Sequence, residues 1–214
     1  MTHPFPTVND MHRDTPPTSS TPVAESAVDD ASFAVVDFET TGVNPREDRI
    51  VQLAAVVVNG RGEIVESFDT VVKPENPDTY RHGAEHIHGI SEEAVSNGMP
   101  LREALLKLWS ISEGHHFTAH NATFDIGFLH AESERVGLDR RVDHYVDTLA
   151  LSRRTDSAKS RRHTLEALCE HYGIERSRAH EAMSDATATA QLLVKLIREM
   201  GVDQPDQLFS SFDR

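Results

Sequence analysis

The sequence predicts an α/β fold in which a mixed sheet of five strands is flanked by helices. Three short apolar runs follow one another with turn residues between them, which predicts an antiparallel meander. Segments with helical periodicity then alternate with two further apolar runs, as is typical of parallel strand–helix–strand units. A sheet that contains both kinds of connection has strands of both directions.

The five strands are assigned from apolar runs that end at turn residues. The first is expected to be buried and central, and it delivers Asp37 to its carboxyl end. The second and third form a hairpin around the turn signal Asn59-Gly-Arg-Gly62. The predicted strands cover residues 33–36, 50–58, 65–72, 117–120 and 142–146.

The helices are assigned from apolar residues three and four positions apart, and from residues that start or stop a helix. Ser91 is the expected cap of a short helix, and Pro100 starts a longer one. Gly137 and Gly173 are expected to follow the ends of two more. The last predicted helix covers residues 182–200 and is the longest.

One folded domain is predicted between two tails. Residues 1–30 are rich in Pro, Thr, Ser and Asp without periodicity, which predicts a disordered tail. The domain is expected to cover residues 31–201, with an exposed, frayed carboxyl tail over residues 202–214. The tail's Gln-Leu-Phe sequence resembles sliding-clamp binding peptides, but its spacing fits them poorly, so a frayed tail is favoured.

Composition bounds the compartment and the partners. A single cysteine among 214 residues excludes an internal disulfide and fits a reducing cytoplasm. No apolar run is long enough to span a membrane, and no secretory signal is visible. The net charge of −14 is unusual for a nucleic-acid binder, since phosphate neutralisation drives such binding. Any such binding is therefore expected to be confined to a strand end or helped by a partner.

The first pair of candidate site residues is Asp37 and Glu39. Residues two apart on a strand point to the same face, so these carboxylates would lie side by side. Like charges so placed repel unless a cation joins them. The alternative is a capping or salt-bridged pair at a strand end.

Asp125, His180 and Asp185 complete the candidate site. Asp125 falls in the first turn of a predicted helix, where the helix dipole stabilises an acidic side chain, so this residue could be there for the helix alone. Asp185 precedes a run of small residues that lets its helix pack closely on the sheet, so its carboxylate can face Asp37. His180 fits a general base, or else a cap or an exposed loop residue. Two hard cations held by carboxylates beside a histidine suit phosphodiester hydrolysis.

The candidate residues belong to three motifs, which follow one another as Val36-Asp-Phe-Glu-Thr-Thr-Gly42, His120-Asn-Ala-Thr-Phe-Asp125 and His180-Glu-Ala-Met-Ser-Asp185. In this order they resemble the Asp-Glu-Asp-Asp exonucleases of the variant that uses a histidine base, and the resemblance covers residues 33–200. Three further segments are His86-Ile-His-Gly-Ile90, Asp147-Thr-Leu149 and His163-Thr-Leu-Glu-Ala-Leu168. With them, the resemblance within the family is strongest to the proofreading epsilon subunit of bacterial DNA polymerase III.

The resemblance implies a ribonuclease-H-like fold and metal-dependent 3′→5′ release of mononucleotides. Two Mg²⁺ or Mn²⁺ ions would be held by Asp37, Glu39, Asp125 and Asp185, with Asp37 bridging them, and His180 would deprotonate the attacking water. The implied partner is a nucleic acid 3′ end, DNA in preference to RNA, with a DNA polymerase or a sliding clamp as a further partner.

The same resemblance suggests residues that contact the substrate. Thr40 and Thr41 follow the first acids and are small enough for their hydroxyls to approach a ligand closely, and Thr41 would contact the terminal sugar. Ile90 would wedge against the terminal base, in the same segment as His88. The remaining predicted contacts are Asn121 and Phe124, the latter also a candidate for the core.

Arginines and a lysine at 153–162 form a basic loop in an acidic chain. This loop is either a solvated surface feature or a contact for nucleic-acid phosphates. Three other functions remain open at the level of sequence: an RNA-directed exonuclease of the oligoribonuclease or RNA-trimming type, a non-catalytic binding module with a nuclease fold, and a phosphatase for small phosphoesters.

Overall fold

The computed structural model describes residues 28–75 and 79–211. A disordered tail was predicted for residues 1–30, and residues 1–27 of it lie outside these ranges. The strands are β1 (Ser32–Thr40), β2 (Ile50–Asn59), β3 (Ile64–Lys73), β4 (Met99–Pro100), β5 (His116–Ala119), β6 (His144–Asp147) and β7 (Phe209–Ser211). The helices are α1 (Glu85–His88), α2 (Glu92–Ser96), α3 (Leu101–Ile111), α4 (Ala122–Arg135), α5 (Thr148–Arg154), α6 (Leu165–Tyr172) and α7 (Ala182–Met200), with a 3-10 turn at Pro205–Leu208.

The strands form one mixed sheet in the order β4-β3-β2-β1-β5-β6-β7. β1 lies at the centre, antiparallel to β2 and parallel to β5. The predicted fold class is therefore confirmed, but the predicted number of five strands is wrong. The described residues form seven strands. The two additional strands, β4 with two residues and β7 with three, are too short to show a strand periodicity in the sequence.

The sheet is covered by helices on both faces, and each face has its own apolar core. Phe33 and Val35 of β1 belong to the core under α6 and α7, whereas Val36 and Phe38 belong to the core under α3 and α4. Burial on both sides explains why β1 is a continuous apolar run. The side chain at position 37 follows the alternation of Phe33 and Val35, and therefore points to the α7 side of the sheet.

Both predicted boundaries of the domain need correction. Val28 is only 5% exposed and donates its N–H to the carbonyl of Asp203 at 2.9 Å, so the packed chain already includes residues before 31. At the other end Leu208 is 1% exposed, and β7 pairs antiparallel with β6. The prediction of a frayed tail is wrong for residues 205–211, and a clamp-binding peptide there would have to leave the core.

Helix ends follow the capping residues read from the sequence. The Ser91 hydroxyl accepts from the Ala94 N–H at the start of α2, and α6 ends at Gly173 in the left-handed conformation. Two helices were not predicted, α1 and α5, since neither is longer than seven residues. Within the described residues, no helix combines the length and apolarity needed to cross a membrane.

Candidate active site

Asp37 and Glu39 lie within β1, which continues to Thr40 and so extends past the predicted end at residue 36. They pair with Ala54 and Gln52 of β2, and the register then shifts between Glu39 and Thr40. Such a bulge redirects the side chains at the end of a strand. Asp37 is half-buried and Glu39 is 9% exposed, so two carboxylates sit side by side with little access to water.

Asp185 reaches this pair from the first turn of α7. It is 6% exposed, and the buried Ala182 and Ala186 beside it let the helix approach the sheet closely. The Gln52 side chain, opposite Glu39 on β2, accepts the Ala182 N–H at 3.4 Å. The start of α7 is therefore fixed over the strand that carries the other acids.

Asp125 lies in the first turn of α4 and is 5% exposed. The preceding Asn121 takes the left-handed conformation, φ 66°, and donates its N–H to Asp147 at 3.0 Å. The same Asp147 oxygen accepts the Leu149 N–H at the start of α5. Asp147 is thus a fifth carboxylate near the site, which the sequence reading used only as a family marker.

A buried ion pair on α4 holds the loop that follows β1. Glu132 accepts the Ile50 N–H at 3.2 Å and lies 3.2 Å from the Arg135 guanidinium. Arg135 in turn donates to the carbonyls of Pro45 and Arg46, at 2.6 and 2.8 Å. The helix that carries Asp125 therefore also fixes the connection between β1 and β2.

The pKa values of the acids show that the carboxylates converge. The pKa of Asp37 is raised well above its usual value by burial first and then by the charges of Asp125, Asp185 and Glu39. Burial, followed by Asp185, raises the pKa of Glu39 to about 7. Burial likewise raises the pKa of Asp125, which backbone hydrogen bonds partly offset. Acids so placed favour a bound cation.

His180 lies at the open side of this cluster. It is exposed and left-handed, φ 59°, and its backbone N–H lies 3.3 Å from Asp185 Oδ2. A ring nitrogen of His180 and carboxylate oxygens of Glu39 and Asp185 all lie within 4.8 Å of one another. These donors fit a divalent cation, because hard carboxylate oxygens suit Mg²⁺ or Mn²⁺ and an imidazole is an acceptable ligand for Mn²⁺.

Arg176 already supplies one positive charge to the cluster. Its Nε and Nη2 atoms lie 3.0 and 2.5 Å from the same Asp185 oxygen, and its charge lowers the pKa of both Asp37 and Glu39. Sequence reasoning missed this residue, since an arginine in a loop nine positions before an acid carries no periodic signal.

We expect the metal-free protein to lose stability as the pH rises. In the unfolded chain these carboxyl groups ionise near pH 4, whereas in the folded chain Asp37, Glu39 and Asp125 keep their protons to higher pH. Folding therefore takes up protons between about pH 4 and pH 7, and the free energy of unfolding falls through that window. In EDTA, the melting temperature should drop by on the order of 5 °C from pH 5 to pH 7.5. Added Mn²⁺ should raise the melting temperature most at pH 7.5, where the carboxylates are least protonated. A melting temperature in EDTA that does not change with pH would contradict a buried carboxylate cluster.

The predicted substrate residues at the end of β1 are partly used by the loop itself. Thr40 is buried and donates its hydroxyl to the Gly42 carbonyl at 2.6 Å. The Thr41 hydroxyl accepts the Arg49 N–H at 3.0 Å and contacts Asp48 at 3.3 Å. A side chain at Gly42 would meet the Asp48 carboxylate, which explains the glycine. Their contact with a substrate stays a prediction.

The other predicted substrate residues differ in how accessible they are. His88 accepts the Ile90 N–H at Nδ1, 3.0 Å, and its Nε2 lies 3.1 Å from the Gly83 carbonyl, so both ring nitrogens are used within the loop. Ile90 is half-buried, and Asn121 is exposed. Phe124 packs on Phe128 with ring centres 5.0 Å apart, as a residue at the edge of the core does.

Comparison with known proteins gives a consistent family. Residues 34–193 match the RNase_T model, described as an exonuclease. DNA polymerase III of the PolC type from Thermotoga maritima is 37% identical over 177 residues, which is 82% of this chain and 12% of that protein. The Staphylococcus epidermidis counterpart is 33% identical over 171 residues, 80% of this chain and again 12% of the relative. The chain thus spans about an eighth of the length of these relatives.

Solved structures give the same fold. Exonuclease I of E. coli with single-stranded DNA and zinc has a TM-score of 0.66 at 24% identity, covering 80% of this chain and 41% of that one. Exonuclease X with 5′-overhanging duplex DNA has a TM-score of 0.63 at 23% identity, covering 82% and 96%. The expected ribonuclease-H-like fold is confirmed. The sequence motifs resembled the epsilon branch of the family, whereas the two relatives described above are PolC-type polymerases. On the family match and the relatives together, this chain is an exonuclease domain and belongs to the RNase_T exonuclease family.

Proposed function

We propose that this chain is a metal-dependent 3′→5′ exonuclease that releases mononucleotides from DNA 3′ ends. The observation that carries the proposal is the convergence of Asp37, Glu39, Asp125 and Asp185 from three separate elements, with His180 beside two of them. The family depends on divalent metal ions, and this donor set fits them.

Two divalent ions, Mg²⁺ or Mn²⁺, would stabilise the charge that develops on the attacking and leaving oxygens of the phosphodiester. Glu39 and Asp185 would hold one ion, Asp125 the other, and Asp37 both. His180 would accept the proton of the attacking water, since its ring is exposed to solvent beside the acids. Arg176 contacts only Oδ1 of Asp185, so Oδ2 would be the oxygen offered to the ion while the arginine stays in place.

The preference for DNA rests on the relatives and neighbours. The relatives are DNA polymerase III chains of the PolC type, and exonucleases I and X are solved with DNA. By this likeness we propose a proofreading or repair role, beside a DNA polymerase as partner. Oligoribonuclease-type activity on RNA is the second candidate, because the acids would act on the phosphodiester, which DNA and RNA share.

The direct test is a time course with single-stranded DNA and RNA of the same sequence, labelled at either end, in Mg²⁺, Mn²⁺ or EDTA. We expect a ladder from 5′-labelled DNA and immediate release of labelled mononucleotide from 3′-labelled DNA, both absent in EDTA and in Asp125→Asn. Faster loss of RNA would favour the second candidate. No loss of either polymer, with hydrolysis of a small phosphoester instead, would contradict the proposal.

A further inference from the structure

A groove of about 700 Å³ opens beside the carboxylates, between the start of α4, α5 and the start of α6. Its lining includes Arg153 and Arg162 with the apolar side chains of Leu149 and Leu165. None of the described residues that line it carries a carboxylate, although the whole chain has 35 acidic residues against 21 basic ones. A positively charged groove in an acidic protein indicates a site for an anionic ligand.

The loop that carries this charge is held in place by one acid. Asp156 accepts the Ser160 N–H at 2.9 Å and the Arg161 N–H at 3.1 Å, and these bonds lower its pKa to about 2. The His163 ring lies 3.4 Å from the same carboxylate and 3.1 Å from the Ser152 hydroxyl. The loop is therefore ordered before any ligand arrives, which reduces the entropic cost of binding.

The arginines of the loop divide into two groups. Arg161 is engaged by the protein, since it donates to the His171 ring at 2.8 Å and pairs with Glu199 at 3.5 Å. Arg154 donates to the Gln207 carbonyl at 3.0 Å. Arg153 and Arg162 are instead exposed and line the groove. Their guanidinium groups are suited to the oxygens of a phosphate.

The groove lies beside the catalytic cluster. Asn121 lines it, lies four residues before Asp125, and is fixed by its N–H bond to Asp147. Asp147 raises the pKa of Asp125, so the two acids are close in space. A strand whose terminal phosphodiester lies at the carboxylates can therefore continue into the groove.

We propose that this groove binds the backbone of a single-stranded nucleic acid upstream of the scissile bond. Arg153 and Arg162 contact two phosphates, and Leu149 and Leu165 contact a sugar or a base between them. The inference rests on the proposed nuclease function and adds to it a site that selects polymers over short substrates. The acidic remainder of the surface then keeps the strand to this one path.

The test compares substrates of increasing length. The wild type should show kcat/KM that rises from the dinucleotide to the octanucleotide, and Arg153→Gln with Arg162→Gln should lose about tenfold on the octanucleotide at low salt. The slope of log(kcat/KM) against log[salt] should become shallower by about 1.4, the value for two phosphate contacts on a single strand. Cleavage of the p-nitrophenyl ester of thymidine 5′-monophosphate should be unchanged.

Arg102→Gln with Lys195→Gln is the matched control, since it removes the same charge from exposed positions on α3 and α7 outside the groove. An equal loss of kcat/KM in this control would overturn the proposed groove, because the effect would then come from the overall charge of the protein. Unchanged length and salt dependence in the groove variant would also overturn it, while ester cleavage shows the catalytic site intact. Failure of the wild type on the ester and on all lengths would instead contradict the proposed function.

Discussion

Replacing Asp37 by Asn is expected to abolish metal-dependent hydrolysis and, at the same time, to make the metal-free protein more stable. Asp37 lies on β1 between the acids of α4 and α7, and Asp125, Asp185 and Glu39 all raise its pKa. In the proposed mechanism it is the one carboxylate that would touch both ions. Its loss should reduce turnover below detection, at least about 10⁴-fold, since no other side chain can take the bridging place.

The gain in stability has the same origin. Near pH 7.5, folding the metal-free chain brings several carboxylates together, and among the described residues Arg176 is the cation that lowers the pKa of both Asp37 and Glu39. An amide of the same shape carries no charge and needs no proton in this site, so the melting temperature in EDTA should rise by on the order of 5 °C. Added Mn²⁺ should then stabilise the variant much less than the wild type.

Nuclease assays and thermal melts with EDTA or Mn²⁺ check both halves of this prediction. Asp139→Asn is a suitable control because Asp139 is an exposed acid that follows the carboxyl end of α4, whereas Asp125 lies in the first turn of that helix. The control should keep wild-type activity and a wild-type response to Mn²⁺. Residual turnover in Asp37→Asn, or a melting temperature that falls in EDTA, would contradict the assignment of Asp37.

The sequence predicts most of the strands and helices, because their residues follow periodic patterns. β2 is a long apolar run, the hairpin turn contains two glycines, and Ser91 caps α2 as the sequence indicates. Asp37 and Glu39 share a face because successive side chains of a strand point to opposite faces of the sheet. The small residues of α7 predict a helix that packs closely on the sheet. Local rules are sufficient for each of these features.

What the sequence did not predict depends on contacts between distant residues. Leu208 is buried and β7 adds to the sheet only because β6 offers a free edge there. Asp147 holds the left-handed Asn121 from 26 positions away. Arg176 turns back onto Asp185 through a loop of irregular structure. None of these residues belongs to a repeating pattern, so only the folded chain brings the partners together.

The same distinction applies to function. The acids could be found from the sequence because three motifs carry them, but the charge balance of the whole chain argued against a nucleic-acid ligand. The proposed groove would resolve this conflict, because it places the exposed Arg153 and Arg162 together next to the acids. Net charge describes the average surface, whereas binding depends on the local field where the strand enters.

His180→Asn is expected to lower kcat by about 10²–10⁴-fold, the usual contribution of a general base. Asparagine is the right replacement because residue 180 has φ 59°, which Asn tolerates better than Ala. The variant should fold and melt like the wild type. Its remaining activity should show a weaker dependence on pH near neutrality, since the group that takes up the proton is gone.

The position of His180 also permits a second role, because its ring lies within 4.8 Å of ligand atoms on Glu39 and Asp185. A metal ligand and a general base can be separated by titrating Mn²⁺ against both activity and melting temperature. If His180 is the base, His180→Asn keeps the Mn²⁺ affinity, and excess Mn²⁺ does not restore kcat. If it is a ligand, the Mn²⁺ affinity falls and excess Mn²⁺ restores kcat.

Rescue of His180→Gly by imidazole at saturating Mn²⁺ would support the role of a base, since free imidazole replaces the lost proton acceptor and glycine keeps the left-handed backbone.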